Sequence, residues 1–240
     1  MTIRHTIFAL VVAGLLPVAA SAQEEAPDGP WEGKATLGYL ATSGNTENSN
    51  LNTAVEIAYV VENWRHQATA KAINAAENDE TTAEAYDFGW KSEWNISKHN
   101  YLFGRLSWRK DRFSGYDQQL SETLGYGRRL VDRERHQLNA EIGAGARQSD
   151  LSDGTEEEET VVRSGLDYRW QLSDTAEFRQ DFIVESGGEN TDLESVTAIS
   201  AKVLGNIALV ASYTIKNNSE VPAATEKTDT YTAVSLEYTF

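Results

Sequence analysis

The chain has 240 residues, a formal charge of −16 from 21 basic and 37 acidic side chains, and no cysteine. So acidic a surface excludes nonspecific nucleic-acid binding, and the absence of cysteine excludes disulfides and thiolate metal sites. A hydrophobic share of 40% with a mean hydropathy of −0.49 reads as soluble, yet a membrane β-barrel has the same composition, because only alternate strand residues meet lipid.

At the amino terminus, Arg4 and His5 precede an apolar run from Ile7 to Ala20 that closes on Ala20-Ser21-Ala22. This is the pattern of a secretory signal cleaved after Ala22. It is too short for a membrane helix, is interrupted by Pro17, and has no lipobox cysteine for a lipid anchor. Residues 1–22 are expected to be a cleaved signal peptide, 23–30 a periplasmic leader and 31–240 the folded body. The signal's only full charge is Arg4, so its loss leaves the mature chain slightly more acidic.

From Trp31 onward, segments of roughly ten alternating residues are each followed by a turn. Trp31, Gly33, Ala35, Leu37 and Tyr39 share one face, as do Leu51, Thr53, Val55, Ile57 and Tyr59. The pattern continues through Trp64 to Asn74, Tyr86 to Ile96, Leu102 to Trp108, Leu120 to Tyr126, Leu138 to Ala146 and Val162 to Trp170. Phe178 to Val184, Thr197 to Val203 and Ile207 to Ile215 follow, and Thr230, Thr232, Val234, Leu236, Tyr238 and Phe240 end the chain on an aromatic. After the leader the only proline is Pro222, which suits uninterrupted strand pairing.

The connections alternate. Val61 to Asn63, Ser97 to Asn100, Val131 to Arg135, Ser173 to Thr175 and Leu204 to Asn206 are short. Ser43 to Asn48, Glu77 to Ala83, Ser114 to Asp117, Gln148 to Glu159, Gly187 to Asp192 and Asn217 to Glu226 are mostly longer, acidic and rich in Gly, Asn and Ser. Trp31, Tyr59, Trp64, Trp94, Trp170, Tyr238 and Phe240 gather at the short-turn end, as an interfacial girdle would. The pattern predicts an all-β fold, an antiparallel transmembrane β-barrel of about twelve strands with short periplasmic turns and longer extracellular loops. Its expected place is the outer membrane of a Gram-negative bacterium, in contact with membrane lipid and lipopolysaccharide.

Thr42-Ser43-Gly44-Asn45-Thr46-Glu47 follows a first strand containing Gly38-Tyr39. Trp108 to Asp117, Leu124-Gly125-Tyr126-Gly127-Arg128 and Gly143-Ala144-Gly145-Ala146-Arg147 form further blocks. Together they resemble the salt-induced outer-membrane protein family, YdiY-like, also described as domain-of-unknown-function family 481. The resemblance runs from about Trp31 to Phe240 and rests on Ser43, Gly44, Asn45, Thr46, Asp111, Gly115, Tyr116, Gly125 and Gly127. It implies an outer-membrane barrel and no established biochemical activity. Gly143-Ala144-Gly145 departs from it, since the family often has a proline between these glycines, which puts a local bulge in question. Terminal Phe240 resembles the signal read by the barrel-assembly machinery, a partner during biogenesis.

Catalytic, cofactor and metal sites are not expected. His66, His99 and His136 fall near the periplasmic turns, the wrong end for an outer-membrane hydrolase, and no Gly-x-Ser-x-Gly elbow or His-x-x-x-His spacing is present. The acidic stretch Asp150 to Glu159 has carboxylates that suit a divalent cation but lacks the spacing of a calcium loop. The inward phase instead carries charges of both signs. Among them are Arg105, Arg109, Arg147, Arg163, Asp167, Arg169, Arg179 and Asp181, the candidate lumen network, with Glu32, Lys34, Glu56, Arg65, Lys71, Asp87, Lys91, Glu93, Arg129, Glu141, Glu185, Lys202 and Lys216 in the same phase. Two readings stay open: a non-enzymatic barrel offering a narrow solute or ion pathway, and a structural or surface-interaction barrel with a charge-filled lumen. A surface hydrolase ranks last.

Overall fold

The computed structural model describes residues 29–42, 48–78, 80–112, 114–222 and 225–240. The expected signal peptide 1–22, the leader up to residue 28 and the Ser43-Gly44-Asn45-Thr46 motif lie outside them. The alternating segments form twelve strands: β1 (Trp31–Thr42), β2 (Asn48–Val61), β3 (Trp64–Glu77), β4 (Glu80–Asn95), β5 (Asn100–Asp111), β6 (Tyr116–Arg133), β7 (His136–Leu151), β8 (Glu156–Ser173), β9 (Ala176–Ser186), β10 (Thr191–Leu204), β11 (Ile207–Asn218) and β12 (Thr228–Thr239). Each pairs antiparallel with its chain neighbours, and β1 pairs with β12 to close the barrel. Closure leaves no sheet edge, so backbone hydrogen bonds are met without water. At the seam the Phe240 amide donates to the Gly33 carbonyl at 2.9 Å and the Gly33 amide donates to the Phe240 carbonyl at 2.8 Å.

The outer face is apolar. Leu124 is 74% exposed, Ile142 and Val234 59%, and Leu37 58%. A belt of large aliphatic side chains this open is stable against hydrocarbon, not water. Its turn-side border is aromatic: Trp31 lies 4.7 Å from Tyr59, Trp64 stacks on Trp94 at 6.2 Å, His136 stacks on Trp170 at 5.6 Å and Tyr238 on Phe240 at 6.1 Å, measured between ring centroids. His66 also belongs to this border, stacked on Trp64 and hydrogen-bonded to Ser92 Oγ.

The structure moves several strand ends. Glu77 to Ala83, expected as a loop, narrows to residues 78–79, and Val131 to Arg135 narrows to residues 134–135. Gln148 to Glu159 contracts to residues 152–155, because β7 continues to Leu151 and β8 begins at Glu156. Strands β6, β7 and β8 reach 18, 16 and 18 residues, against the roughly 9–11 that a bilayer needs, so they project past the belt on the loop side. Pairing runs unbroken through Gly143-Ala144-Gly145; the irregularities between β6 and β7 fall at Tyr116/Gln118 and Arg129/Val131. Lys202 lies exposed near the turn-side end of β10 and does not line the lumen cavity.

Candidate functional site: the charged lumen

Inward-pointing residues enclose a cavity of about 690 Å³ whose lining runs from Glu32 and Arg65 near the turns to Asp192 and Arg147 toward the loops. All eight charged residues singled out in the sequence line it: Arg105, Arg109, Arg147, Arg163, Asp167, Arg169, Arg179 and Asp181. They do not form one network: Arg105 makes no ion pair or hydrogen bond among the described residues, and the others fall into separate clusters at different depths.

Arg109 on β5 forms the bar across the lumen. Its Nε donates to Asp87 Oδ1 on the adjacent β4 at 2.8 Å, while Nη1 reaches Asp192 Oδ2 at 3.1 Å and Nη2 reaches Glu194 Oε2 at 2.6 Å. Asp192 and Glu194 belong to β10, which stands across the ring from β4 and β5. Lys216 on β11 adds a second tie to Asp87 at 3.4 Å, and Lys71 on β3 a third to Glu194 at 3.7 Å. The long guanidinium matters, since its planar fork can engage carboxylates from two walls at once.

Nearer the centre, Glu141 on β7 gathers Lys91, the Tyr101 hydroxyl at 2.8 Å and Arg163 Nη1 at 2.8 Å. Glycines make this arrangement possible. A Cβ at Gly127 would stand 2.1 Å from the Tyr101 ring, so only glycine lets that ring lie flat on β6; Gly125 accommodates Phe103 in the same way. Arg129 then rests over the Tyr101 ring at 4.9 Å, and Arg163 over Phe103 at 5.5 Å. The family-like glycines of β6 are thus seats for aromatic rings inside the barrel.

Toward the loops, Arg147 binds Glu159 and the Asn190 carbonyl, and the Glu189 amide donates to Glu159 at 2.8 Å. Asn190, buried to 2% exposure, ties the β9–β10 connection to the β11–β12 connection: its Nδ2 donates to Asn218, and its Oδ1 accepts from Ser219 Oγ and the Glu220 amide. Tyr116 Oη donates to the Glu220 carbonyl at 2.9 Å. Gly115, at φ 84°, turns beneath Pro222, where a Cβ would stand 2.7 Å from the proline ring. Asp111 ends β5 nearby, and its carbonyl accepts from Ser114 Oγ at 3.2 Å. Asp111, Gly115 and Tyr116 therefore sit where the connections fold together into a cap over one end of the lumen.

At the other end, β8 and β9 set like charges opposite one another, Asp167 against Asp181 and Arg169 against Arg179. Opposed like charges are unfavourable. They are offset by Arg169 to Asp167 at 3.7 Å and by Arg179 to Glu237 at 3.1 Å.

Asp192 and Glu194, the far anchors of Arg109, were not in the sequence-derived set, because Asp192 read as loop and the strand read as starting near Thr197. The outward phase of Thr197, Ile199 and Ala201, extended backward, would have placed both inward. Glu159 was likewise assigned to a loop and lies on β8. In the adjoining loop the Thr155 hydroxyl and amide hold the Asp153 carboxyl below the usual carboxylate range. Among the described residues, no group of three His, Cys, Asp or Glu side chains is arranged to hold a metal ion.

Comparison with known proteins agrees with this architecture. The fold resembles the COG4313 outer membrane channel from Pseudomonas putida F1, with a TM-score of 0.53 and 9% identity over 90% of this chain and 97% of that one. It also resembles the NanC porin, with a TM-score of 0.51 and 8% identity over 86% and 97%. At such identities the likeness is one of fold. The uncharacterized protein YdiY of Escherichia coli (strain K12) is 35% identical over 210 residues, covering 87% of this chain and 83% of that protein. A family model described as "Protein of unknown function, DUF481" matches residues 35–240, and the chain belongs to that family.

Proposed function

We propose that the protein is a non-enzymatic outer-membrane barrel that offers a narrow, low-conductance pathway to ions and small charged solutes, and that its lumen is closed on the loop side in the state described here. The observation that carries this reading is the charge-lined cavity spanned by Arg109, whose guanidinium ties β5 to both β4 and β10. Fixed charges of both signs lining open space are what a selective aqueous pathway requires. In this reading the signal peptide 1–22 exports the chain, and the assembly machinery inserts it by way of Phe240. The short turns and both termini face the periplasm, while the loops meet lipopolysaccharide and the medium. Salt-dependent expression, which the family resemblance implies, is part of the same proposal and is read by transcript level across a salt step.

A second reading, a structural barrel with no transport, is favoured by the same bar and by the Asn190 cap, since both obstruct the lumen. Single-channel recording in planar bilayers separates the two. The pathway reading expects small but resolved conductance steps in the wild type and larger ones in Arg109→Ala. A silent wild type together with a silent Arg109→Ala would give way to the structural reading.

A further inference from the structure

Most lumen cations have an acid of their own. Arg109 has three, Arg163 lies near two, and Arg147, Arg179, Lys71, Lys91 and Lys216 each have at least one. Arg105, midway along β5 and lining the cavity, has no ion pair or hydrogen bond among the described residues. The acids whose fields reach it, Glu141, Glu185 and Glu194, are already taken: Glu141 by Lys91 and Arg163, Glu185 by Ser121, and Glu194 by Arg109.

A second orphan stands beside it. Thr123 on β6 is registered directly against Arg105, is 2% exposed, and its Oγ1 has no hydrogen-bond partner. On its other side the register partner is Gly145 of β7, which brings no side chain to satisfy it. Arg163 adds a third unused donor: its Nε lies 3.6 Å from Glu185 and makes no hydrogen bond. Arg105 is half-buried on the cavity wall, whereas Thr123 Oγ1 and Arg163 Nε are buried; buried polar groups are nearly always paired, so two unmatched buried atoms near a free guanidinium call for an account. Guanidinium N–H groups only donate, and a hydroxyl can donate as well, so one acceptor with several lone pairs and a negative charge would satisfy them together.

We propose that the middle of the lumen is a binding site for a small oxyanion, a carboxylate or phosphate group, held by the Arg105 fork with the Thr123 hydroxyl and Arg163 Nε. The proposal rests on the open-lumen reading but not on conduction: an anion that enters from the turn-side mouth can bind without crossing. The carboxylates nearest the site, Glu141, Glu185 and Glu194, each face a cation, so they repel an incoming anion less than their number suggests.

Titration calorimetry of the detergent-folded, full barrel with inorganic phosphate, and separately with acetate, tests this. Saturable binding of either probe at one site per chain is expected, and the arm that binds names the class. Arg105→Gln should weaken it about tenfold or more, the usual effect of losing a hydrogen bond to a charged group, and Thr123→Val several-fold. Lys98→Gln, in the exposed turn between β4 and β5 and paired with Asp132, should leave it unchanged. Heat-modifiable migration on unboiled gels confirms that each variant is folded, and if Arg105→Gln fails to fold, Thr123→Val decides. Binding of neither probe, or binding that the folded variants leave unchanged, overturns the site. Conductance without saturable binding would overturn this proposal alone, whereas binding in a silent barrel would overturn only the pathway.

Discussion

Removing Arg109 should cost stability through the acids it leaves behind. In Arg109→Ala, Asp87 keeps Lys216 at 3.4 Å and Glu194 keeps Lys71 at 3.7 Å, whereas Asp192 retains no other ion pair among the described residues. Breaking a buried pair by deleting one partner typically costs about 3–5 kcal/mol. Here the Arg109, Asp192 and Glu194 side chains retain 21%, 11% and 15% exposure to the lumen, so water relieves part of that penalty, and two of the three acids stay compensated. The lower end, about 3 kcal/mol, is therefore expected. Arg65→Ala is the control: its pair with Glu32 is 2.8 Å long, but the side chains are 28% and 56% exposed, and such pairs are worth about 0–1 kcal/mol. Urea unfolding of both variants in lipid vesicles, followed by tryptophan emission, measures the difference. An Arg109→Ala barrel as stable as the wild type, or an Arg65→Ala loss of equal size, would refute the crossbar argument.

Other consequences follow from depth, packing and closure. Ile142→Arg, six residues above the turn-side aromatic border, should destabilise by about 2–4 kcal/mol, while Leu209→Arg, close to that border, should cost about 0–1 kcal/mol; equal costs in vesicle unfolding would show that the belt is misplaced. Gly127→Ala should cost about 1–3 kcal/mol by pushing Tyr101 off its seat and away from Glu141, and adding Tyr101→Ala should cost less than the two single losses combined. Additive losses would mean that ring and glycine do not compete for the same space. Deleting Phe240 removes both backbone bonds to Gly33 and the stack on Tyr238, so less heat-modifiable barrel should accumulate in membranes; unchanged amounts would contradict its role at the seam.

The number and order of strands were legible because the belt enforces a strict two-residue period: Leu102, Leu106 and Trp108, or Leu209, Ala211 and Tyr213, alternate as strands of a sheet with one apolar face do. The strand ends were not. Asp150, Glu156 and Glu158 lie on β7 and β8 beyond the belt, where the outward face is polar and the apolar alternation that marks a strand is lost. The inward charges were legible as a set, but their partners were not, because pairing depends on which walls come together. Arg109 and Asp192 are 83 residues apart, and Lys216 and Asp87 are 129. Gly125 and Gly127 stood out by resemblance, and their physical reason emerged only when β5 placed Phe103 and Tyr101 against them.

A lumen open toward the turns and shut toward the loops is tested most directly by side-resolved labelling. The chain has no cysteine, so Ser107→Cys introduces a single thiol into the cavity wall, between Arg105 and Arg109 on β5. In oriented vesicles, a membrane-impermeant thiol reagent should modify it readily from the turn side and at least about tenfold more slowly from the loop side, where the Arg109 bar and the Asn190 cap intervene. Equal rates from the two sides, or faster reaction from the loop side, would contradict the closed end.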